Sequence, residues 1–547
     1  MKTKKIIYSL GCTLLMGLTS SCVDYDALNE NPNKPTSDMY DFNEASLGTT
    51  LRYGIDLNFA DATGSLVGSA HLHERIKNLN IDFYSQYINP SAGWTTRNYL
   101  PNDSWNSDLW KAHFQWLSAL NTIINDGDGL VMSQNNVQIA RVWRVYIQSQ
   151  ASDFFGPMPF PLVAAENPDY IALDKQYEIF FLELDDAVKK MDANLHVIAG
   201  VNDPIYFGVL AYWQSFANSL RLRLAMKLSE VDTQTCSKEA INAINAPGGL
   251  MTSGNDARIS GTSGWGNAYN YYMYQVSWGE KMSLTTSFEK ILTGIGGLAY
   301  NGTATIHPEK IDPRGVKFFD PSVDGNAWKG VYPGLNAENH VNVGKNHAFM
   351  SEKYILPNEK RKVDCFLYEE VCFLLAEAYE RNIISGGTAL AREWYDKGVI
   401  SSFGRWDESA NVEAYLASTE PNSWGTSAHY DSNNGDGNSK LEKIITQKYI
   451  ANYPDVSYQA WNDKRRLNLP AFDVPEYRDP AVGYVNSKDI KDSKNFISRQ
   501  AFPQNEMLVN KAKYDAGVLL LGAGKADNTA SNIWWDVDAN YCTSNNQ

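Results

Sequence analysis

The sequence predicts a mainly α protein built of helix pairs that carry long loops. Three observations point there. Apolar residues recur at three- and four-residue steps in one segment after another, which is the spacing that lines one face of a helix. Strand-like alternation is scarce, with one hairpin expected near 269–278. The stretches between the periodic segments, notably 89–107, 252–287, 301–360 and 405–439, are long and rich in Gly, Asn, Ser and Pro. Irregular stretches of such length are uncommon in a compact protein and usually serve function.

Helices are expected first around 43–58 and 70–88. The next runs over 109–124, where NDGDG stops it, and places Trp110, Phe114 and Leu117 at helical spacing as core. Another spans 137–152 and is broken by Gly156, Pro157 and Pro159. One begins after Asp174 and carries Tyr177, Phe180, Leu184, Ala187, Val188 and Met191 on one stripe. The segment 203–229 opens with Asp203 as N-cap and Pro204 at the first helical position, and ends with Arg221, Arg223 and Lys227 where the dipole favours cations. FLYEEVCFLLAEAYER predicts a helix over 366–381, and 389–402 and 440–452 complete the series. Helix pairs of this kind suggest tetratricopeptide-like stacking, although no clean 34-residue repeat is present.

Composition bounds the function. The 547 residues are 43% apolar and 20% charged, which suits a globular protein and excludes a mostly disordered one. Formal net charge is −15. A chain this acidic is a poor partner for nucleic acid or an anionic bilayer, because phosphate binding needs a positive surface. The 15 Trp and 31 Tyr nearly equal the 48 Lys plus Arg, an excess of rings with one apolar and one polar side.

The N-terminus has Lys2, Lys4 and Lys5, then an apolar run from Ile6 to Leu18, then Thr19, Ser20, Ser21 and Cys22. This pattern is a secretory signal peptide over 1–21, too short for a permanent span. Its end resembles a bacterial lipobox, with Leu18 one place further from the Cys than usual, so Cys22 is expected to carry lipid; a plain cleaved signal is the alternative. Acyl chains on Cys22 would be the sole membrane contact. Residues 22–40 read as a polar tether and 41–547 as a single domain. Among the remaining thiols, Cys236, Cys365, Cys372 and Cys542, there is no Cys-x-x-Cys pair, and buried free thiols are expected.

The motifs of catalysis are missing. GAGK at 522–525 lacks the spacing of a phosphate loop, there is no Gly-x-Ser-x-Gly elbow, and His71 and His73 are two apart, a spacing that sends them to different helix faces. Glu369 and Glu370 point apart on their helix, so no carboxylate couple stands out. The loops 125–129 and 431–439 lack the glycine placement and the closing Glu of a Ca²⁺ loop. No enzyme activity, metal or cofactor is expected. The sharper signal is aromatic. Trp94, Tyr99 and Trp105, with Arg97 and Asn98 among them, fall in a polar, turn-rich stretch, and Trp265, Tyr269, Tyr271, Tyr272, Tyr274 and Trp278 crowd a second. Flat rings in loops can stack on the apolar face of a sugar while Asn98 and Arg97 bond its hydroxyls. These eleven residues are the candidate ligand site.

The lipobox with NENPNKPT, RVWRVYIQSQASDFFGPMPFP (141–161) and YWQSFANSLRLRLAMKLS (212–229) form an ordered series of blocks. YEEVCFLLAEAYER (368–381), KIITQKYIANYPDVSYQAWNDKRRLNLP (443–470) and ISRQAFPQNEMLVN (497–510) continue it along nearly the whole chain. The series resembles the SusD/RagB family of Bacteroidetes outer-membrane lipoproteins. The resemblance implies tetratricopeptide-like helix pairs under a loop-rich face, and a SusC-like TonB-dependent barrel as partner. It implies a non-enzymatic role in capturing nutrient, mostly glycan and in some members peptide. Asp24 and Asp26 resemble the surface-export signal of such lipoproteins. Arg465 and Arg466 are expected to brace helices through carboxylates. A glycan receptor is the leading expectation; a peptide receptor, a surface glycosidase and a purely structural lid are the alternatives.

Overall fold

Helices dominate the computed structural model, and side-chain caps start several of them, as Asp232, Thr285, Asp312 and Ser439 do. The structure describes residues 42–55, 59–60, 66–67, 72–90, 102–127, 134–162, 167–260, 279, 281–333, 343–355, 362–433, 435–475 and 497–545. The leader, Cys22, the tether, the 269–278 hairpin and ten of the eleven candidate ligand residues lie outside these.

In chain order the helices are α1 (Phe42–Thr50), α2 (Asp103–Gly127), α3 (Gln134–Phe155), α4 (Leu173–Lys190), α5 (Leu210–Lys227), α6 (Thr233–Asn245), α7 (Thr286–Leu292), α8 (Pro313–Phe318) and α9 (Val343–Asn346). They continue with α10 (Tyr368–Glu380), α11 (Gly387–Arg405), α12 (Val412–Ala417), α13 (Lys440–Asn452), α14 (Ser457–Leu467), α15 (Gln504–Val509) and α16 (Lys511–Leu519). Consecutive helices pack on one another, α2 on α3, α3 on α4, α4 on α5, α5 on α6 and α10 on α11, and α10 is also held against α5 and α13. That is the expected pairwise stacking. Among the described residues no helix is long and apolar enough to cross a membrane.

Several boundaries differ from expectation. The segment 70–88 holds a π-helix, Glu74–Ile81, rather than a plain α-helix. The 203–229 segment becomes helical only at Leu210. Asp203 does cap, accepting the N–H groups of Ile205 and Tyr206 at 3.0 Å and the Trp213 indole N–H at 2.8 Å. It caps a separate turn, however, which Phe207 (φ 54°) and Gly208 (φ 79°) end in the left-handed region. The cations of α5 serve as buried ion pairs to other helices rather than as dipole partners. Arg221 meets Glu239 at 2.6 Å, Arg223 meets Glu370 at 2.6 and 2.8 Å, and Lys227 meets Asp153.

Strands are short but more numerous than the alternation suggested, because each is only two to five residues long. In chain order they are β1 (Phe59–Ala60), β2 (Leu66–Val67), β3 (Ile88–Pro90), β4 (Met158–Pro159), β5 (Tyr170–Ile171), β6 (Ala257–Ser260), β7 (Met282–Leu284), β8 (Phe319–Asp320), β9 (Phe349–Met350) and β10 (Lys362–Phe366). β3, β7, β9 and β8 form one antiparallel sheet in that order, and β6 pairs with β10.

The core runs through the helical layers around Trp143, Trp213, Trp461 and Trp535, all fully buried. Asp153 is its polar knot. It takes hydrogen bonds from Asn462 (2.8 Å), Trp535 Nε1 (3.2 Å) and Tyr177 (3.3 Å) besides the Lys227 ion pair. Arg466 braces helices through Glu377 and Asp463, as expected. Arg465 does not: its guanidinium donates to the carbonyls of Asp153 (2.7 Å) and Ser498 (2.8 Å) and lies 3.6 Å from the Trp461 ring centroid. A planar cation with five donors is as well held by carbonyls and rings as by acids. Cys236, Cys365 and Cys372 are buried free thiols.

Candidate functional site

Strand register fixes where the two aromatic stretches leave and rejoin the body. In the antiparallel β3/β7 pair, Pro90 lies opposite Met282. The first aromatic stretch therefore leaves the body at Pro90 beside the point, at Lys281 and Met282, where the chain returns from the second. The second stretch leaves at Ser260, which lies opposite Lys362 in the β6/β10 pair. Lys281 forms an ion pair with Glu352 and stands 4.2 Å from the Phe349 ring centroid, which ties the returning chain to the turn that holds Tyr354.

Beside the β6/β10 pair is a cleft of about 260 Å³, lined by Arg258, Tyr354, Lys362, Asp364, Arg405, Trp406 and Pro454. Alternation along the strands builds one wall. Ile259 and Val363 point into the core, so Arg258, Lys362 and Asp364 share the opposite face. Arg258 and Asp364 are register partners and form an ion pair, with Arg258 Nε 2.8 Å from an Asp364 oxygen. Arg405, the last residue of α11, reaches the other Asp364 oxygen at 2.8 Å and Glu369 at 2.7 Å. Asp256 lies behind Arg258 at 3.1 Å and accepts the Tyr368 N–H at 2.7 Å. Burial and the charge of Glu369 push the Asp256 carboxyl up to about 6, against the opposing pull of Arg258.

The facing wall is aromatic. Trp406 caps the end of α11 and packs edge-on against Phe318 at 4.8 Å between centroids. Tyr354 is 38% exposed. Lys317 joins the two rings: it donates to the Trp406 carbonyl, stands 5.8 Å from the Tyr354 ring centroid and pairs with Glu408 at 3.0 Å. The arrangement offers rings, a carboxylate and cations in one concavity, the equipment for holding a polar ligand by stacking and hydrogen bonds. A larger groove of about 460 Å³ between α4 and α6 offers less, because its Arg221 is already closed by Asp185 and Glu239.

Of the eleven sequence-derived candidates, the structure describes Trp105 alone, and it corrects that one. Trp105 lies in the first turn of α2, 6% exposed, inside the main core. Asn102 accepts the N–H of Ser104 at 3.1 Å and starts the helix six residues earlier than 109, which draws Trp105 out of the loop and into the packed face. Trp94, Arg97, Asn98, Tyr99, Trp265, Tyr269, Tyr271, Tyr272, Tyr274 and Trp278 lie outside the described residues. Sequence reasoning missed Tyr354, Trp406, Arg258 and Lys362. Their nearest signal was their place within or beside the stretches 252–287, 301–360 and 405–439 already marked as long and functional.

Comparison with known proteins agrees with the fold. A SusD homologue from Parabacteroides distasonis superposes with a TM-score of 0.84 at 40% identity, covering 92% of this chain and all of the other. A homologue from Bacteroides vulgatus gives 0.75 at 22% identity over 91% and 99% of the two chains. A chitin-binding SusD homologue from Flavobacterium johnsoniae gives 0.73 at 22% over 91% and 98%. The last two show the shared fold. No curated protein matches the chain. The family described as SusD-like, Susd and RagB outer membrane lipoproteins, matches residues 27–536, and a match along that much of the sequence makes this protein a member of the SusD-like family.

Proposed function

We propose that the protein is a cell-surface receptor for oligosaccharide, held to the outer membrane by lipid on Cys22, that captures glycan and passes it to a SusC-like TonB-dependent transporter without cleaving it. One observation carries the reading. The first aromatic stretch leaves the body at Pro90 directly opposite Met282, where the second returns, and the second leaves at Ser260 opposite Lys362, which lines an aromatic cleft. The two ring-bearing stretches are therefore anchored side by side, one of them at the cleft. In this reading Trp94, Tyr99, Trp265, Tyr269, Tyr271, Tyr272, Tyr274 and Trp278 supply stacking faces, and Arg97 and Asn98 supply hydrogen bonds. Chitin binding by a homologue of the same fold supports a saccharide ligand. Each stacked ring is worth about 1–3 kcal/mol on the scale known for base–aromatic stacking, so a few rings give the moderate, releasable affinity that delivery requires.

The test is retardation of the full-length mature protein in native gels containing a panel of polysaccharides, with new reducing ends assayed in the same mixtures. Retardation by at least one glycan without new ends is expected. Trp94→Ala and Trp265→Ala should each weaken it by about tenfold, in line with the loss of one stacked ring. New reducing ends would replace the receptor with a glycosidase. No retardation by any glycan, with binding of peptides instead, would keep the fold and change the ligand.

A further inference from the structure

The cleft at the β6/β10 pair is lined by more cations than acids. On a protein of net charge −15, its lining presents Arg258, Lys362 and Arg405 against the single carboxylate Asp364. The acids behind the wall do not cancel this evenly. Arg405 is fully engaged, with Nη1 on Asp364, Nε on Glu369 and Nη2 on the Ala451 carbonyl. Arg258 uses Nε on Asp364 and Nη2 on Asp256, which leaves Nη1 without a partner among the described residues. Lys362 is exposed and forms no ion pair among the described residues. Arg258 and Lys362 are diagonal neighbours on one face of an antiparallel pair, opposite Asp364 and Ser260 respectively, so their side chains emerge within reach of a common group. Lys353, beside Tyr354, stands 4.6 Å from that ring's centroid and adds positive potential at the aromatic wall.

We infer that this cleft selects an anionic oligosaccharide, whose carboxylate or sulfate group is met by Arg258 Nη1 and the Lys362 ammonium while Tyr354 and Trp406 flank the sugar ring. The inference rests on the glycan-receptor reading and names its substrate class. Asp364 has a positioning role: held by two guanidiniums, it fixes Arg258 so that its free edge stays aimed outward. A guanidinium edge matches the paired oxygens of a carboxylate or sulfate, and hydrogen bonds to ionised groups are about twice as strong as neutral ones. The two rings favour a sugar over an acidic peptide, since a pyranose offers a flat apolar face to each.

The experiment is equilibrium binding of the full-length mature protein, in detergent, to fluorescent oligomers of galacturonate, of chondroitin sulfate and of N-acetylglucosamine, and to a glutamate-rich peptide. It is run at low and at physiological salt. Tighter binding of one or both acidic oligomers than of the neutral one is expected, by about tenfold at low salt, and the preference should shrink as salt screens the cations. Binding of the galacturonate oligomer shows that a carboxylate suffices, whereas binding of chondroitin sulfate, which carries both a uronate carboxylate and a sulfate, without galacturonate points to the sulfate. Lys362→Gln should remove most of the preference, read as the ratio of acidic to neutral affinity, from about tenfold toward one. Lys362 is exposed and has no ion pair among the described residues, so this variant keeps its fold; Lys362→Arg should restore the preference. Equal or better binding of the neutral oligomer would overturn the inference while the receptor reading stands. Binding of the peptide alone, or of none of the four probes, would overturn both.

Discussion

At the residue scale, buried ions decide more of this protein than its formal charge suggests. Glu377 sits between Arg466 (2.5 and 2.8 Å) and Arg381 (2.9 Å) and is completely buried. Burial alone would raise its pKa, but the charge and hydrogen bonds of Arg466, helped by Arg381, outweigh it and hold the carboxyl at about 2 against an ordinary 4.5. The native state thus binds this proton less readily than the unfolded chain. The resulting stability, about 3 kcal/mol, is fully present above pH 4.5 and is lost as pH falls toward 2. Denaturant titrations between pH 6 and pH 3 should show that decline, and Glu377→Gln should flatten it. The same substitution should lower stability at pH 7 by about 3 kcal/mol, because buried Arg466 keeps only Asp463 of its two acids and Arg381 loses one of its own. Thiols behave oppositely. Burial pushes Cys236 and Cys372 up to about 12, so neither should react with a thiol reagent at pH 8 until the protein is unfolded.

At the scale of elements, caps and breaks set the boundaries that periodicity leaves vague. α13 opens with a reciprocal box in which Ser439 accepts the Glu442 N–H at 3.2 Å and Glu442 accepts the Ser439 N–H at 2.8 Å. Ser439→Ala should cost about 1 kcal/mol, read as a shift in the denaturation midpoint with unchanged slope. Trp105 shows the opposite lesson. Its neighbours Asn102, Asp103 and Ser104 look like turn residues, yet they are the cap and first turn of α2. The residues that favour a turn also favour a helix start, so composition alone placed a core ring in a loop. Arg258 and Lys362 were invisible for a different reason. Each belongs to a strand of four or five residues whose alternation becomes readable only once its partner strand, about a hundred positions away, is known.

At the scale of the whole molecule, the chain's far ends are stitched into its centre. Trp535, near the C-terminus, is fully buried, donates to Asp153 and lies 4.7 Å from the Arg465 guanidinium. Gln86 donates to the Asp473 carbonyl at 2.9 Å across most of the sequence. Such links make one cooperative unit of the body. Unfolding followed by tryptophan fluorescence and by far-ultraviolet circular dichroism should give coincident transitions. Trp535→Ala should move both together, by about 3–5 kcal/mol, because it opens a cavity and strips a partner from Asp153 and Arg465 at once. Transitions that separate would show that the C-terminal segment folds apart from the helical layers.

The sequence by itself determined the helical class, the pairwise stacking, the family and the long loops, because these depend on local periodicity and on ordered blocks of residues. It also placed Trp110 and Leu117 in the core and Arg466 in a brace. Only the tertiary structure decided that the two aromatic stretches are rooted together, that Trp105 is core, that Arg465 is held by carbonyls and rings, and that Arg258, Lys362, Tyr354 and Trp406 share a cleft. Those facts rest on pairings between residues far apart in the chain. A side chain's exposure and partners follow from strand register and helix contact, and no local pattern encodes which distant segment will supply them.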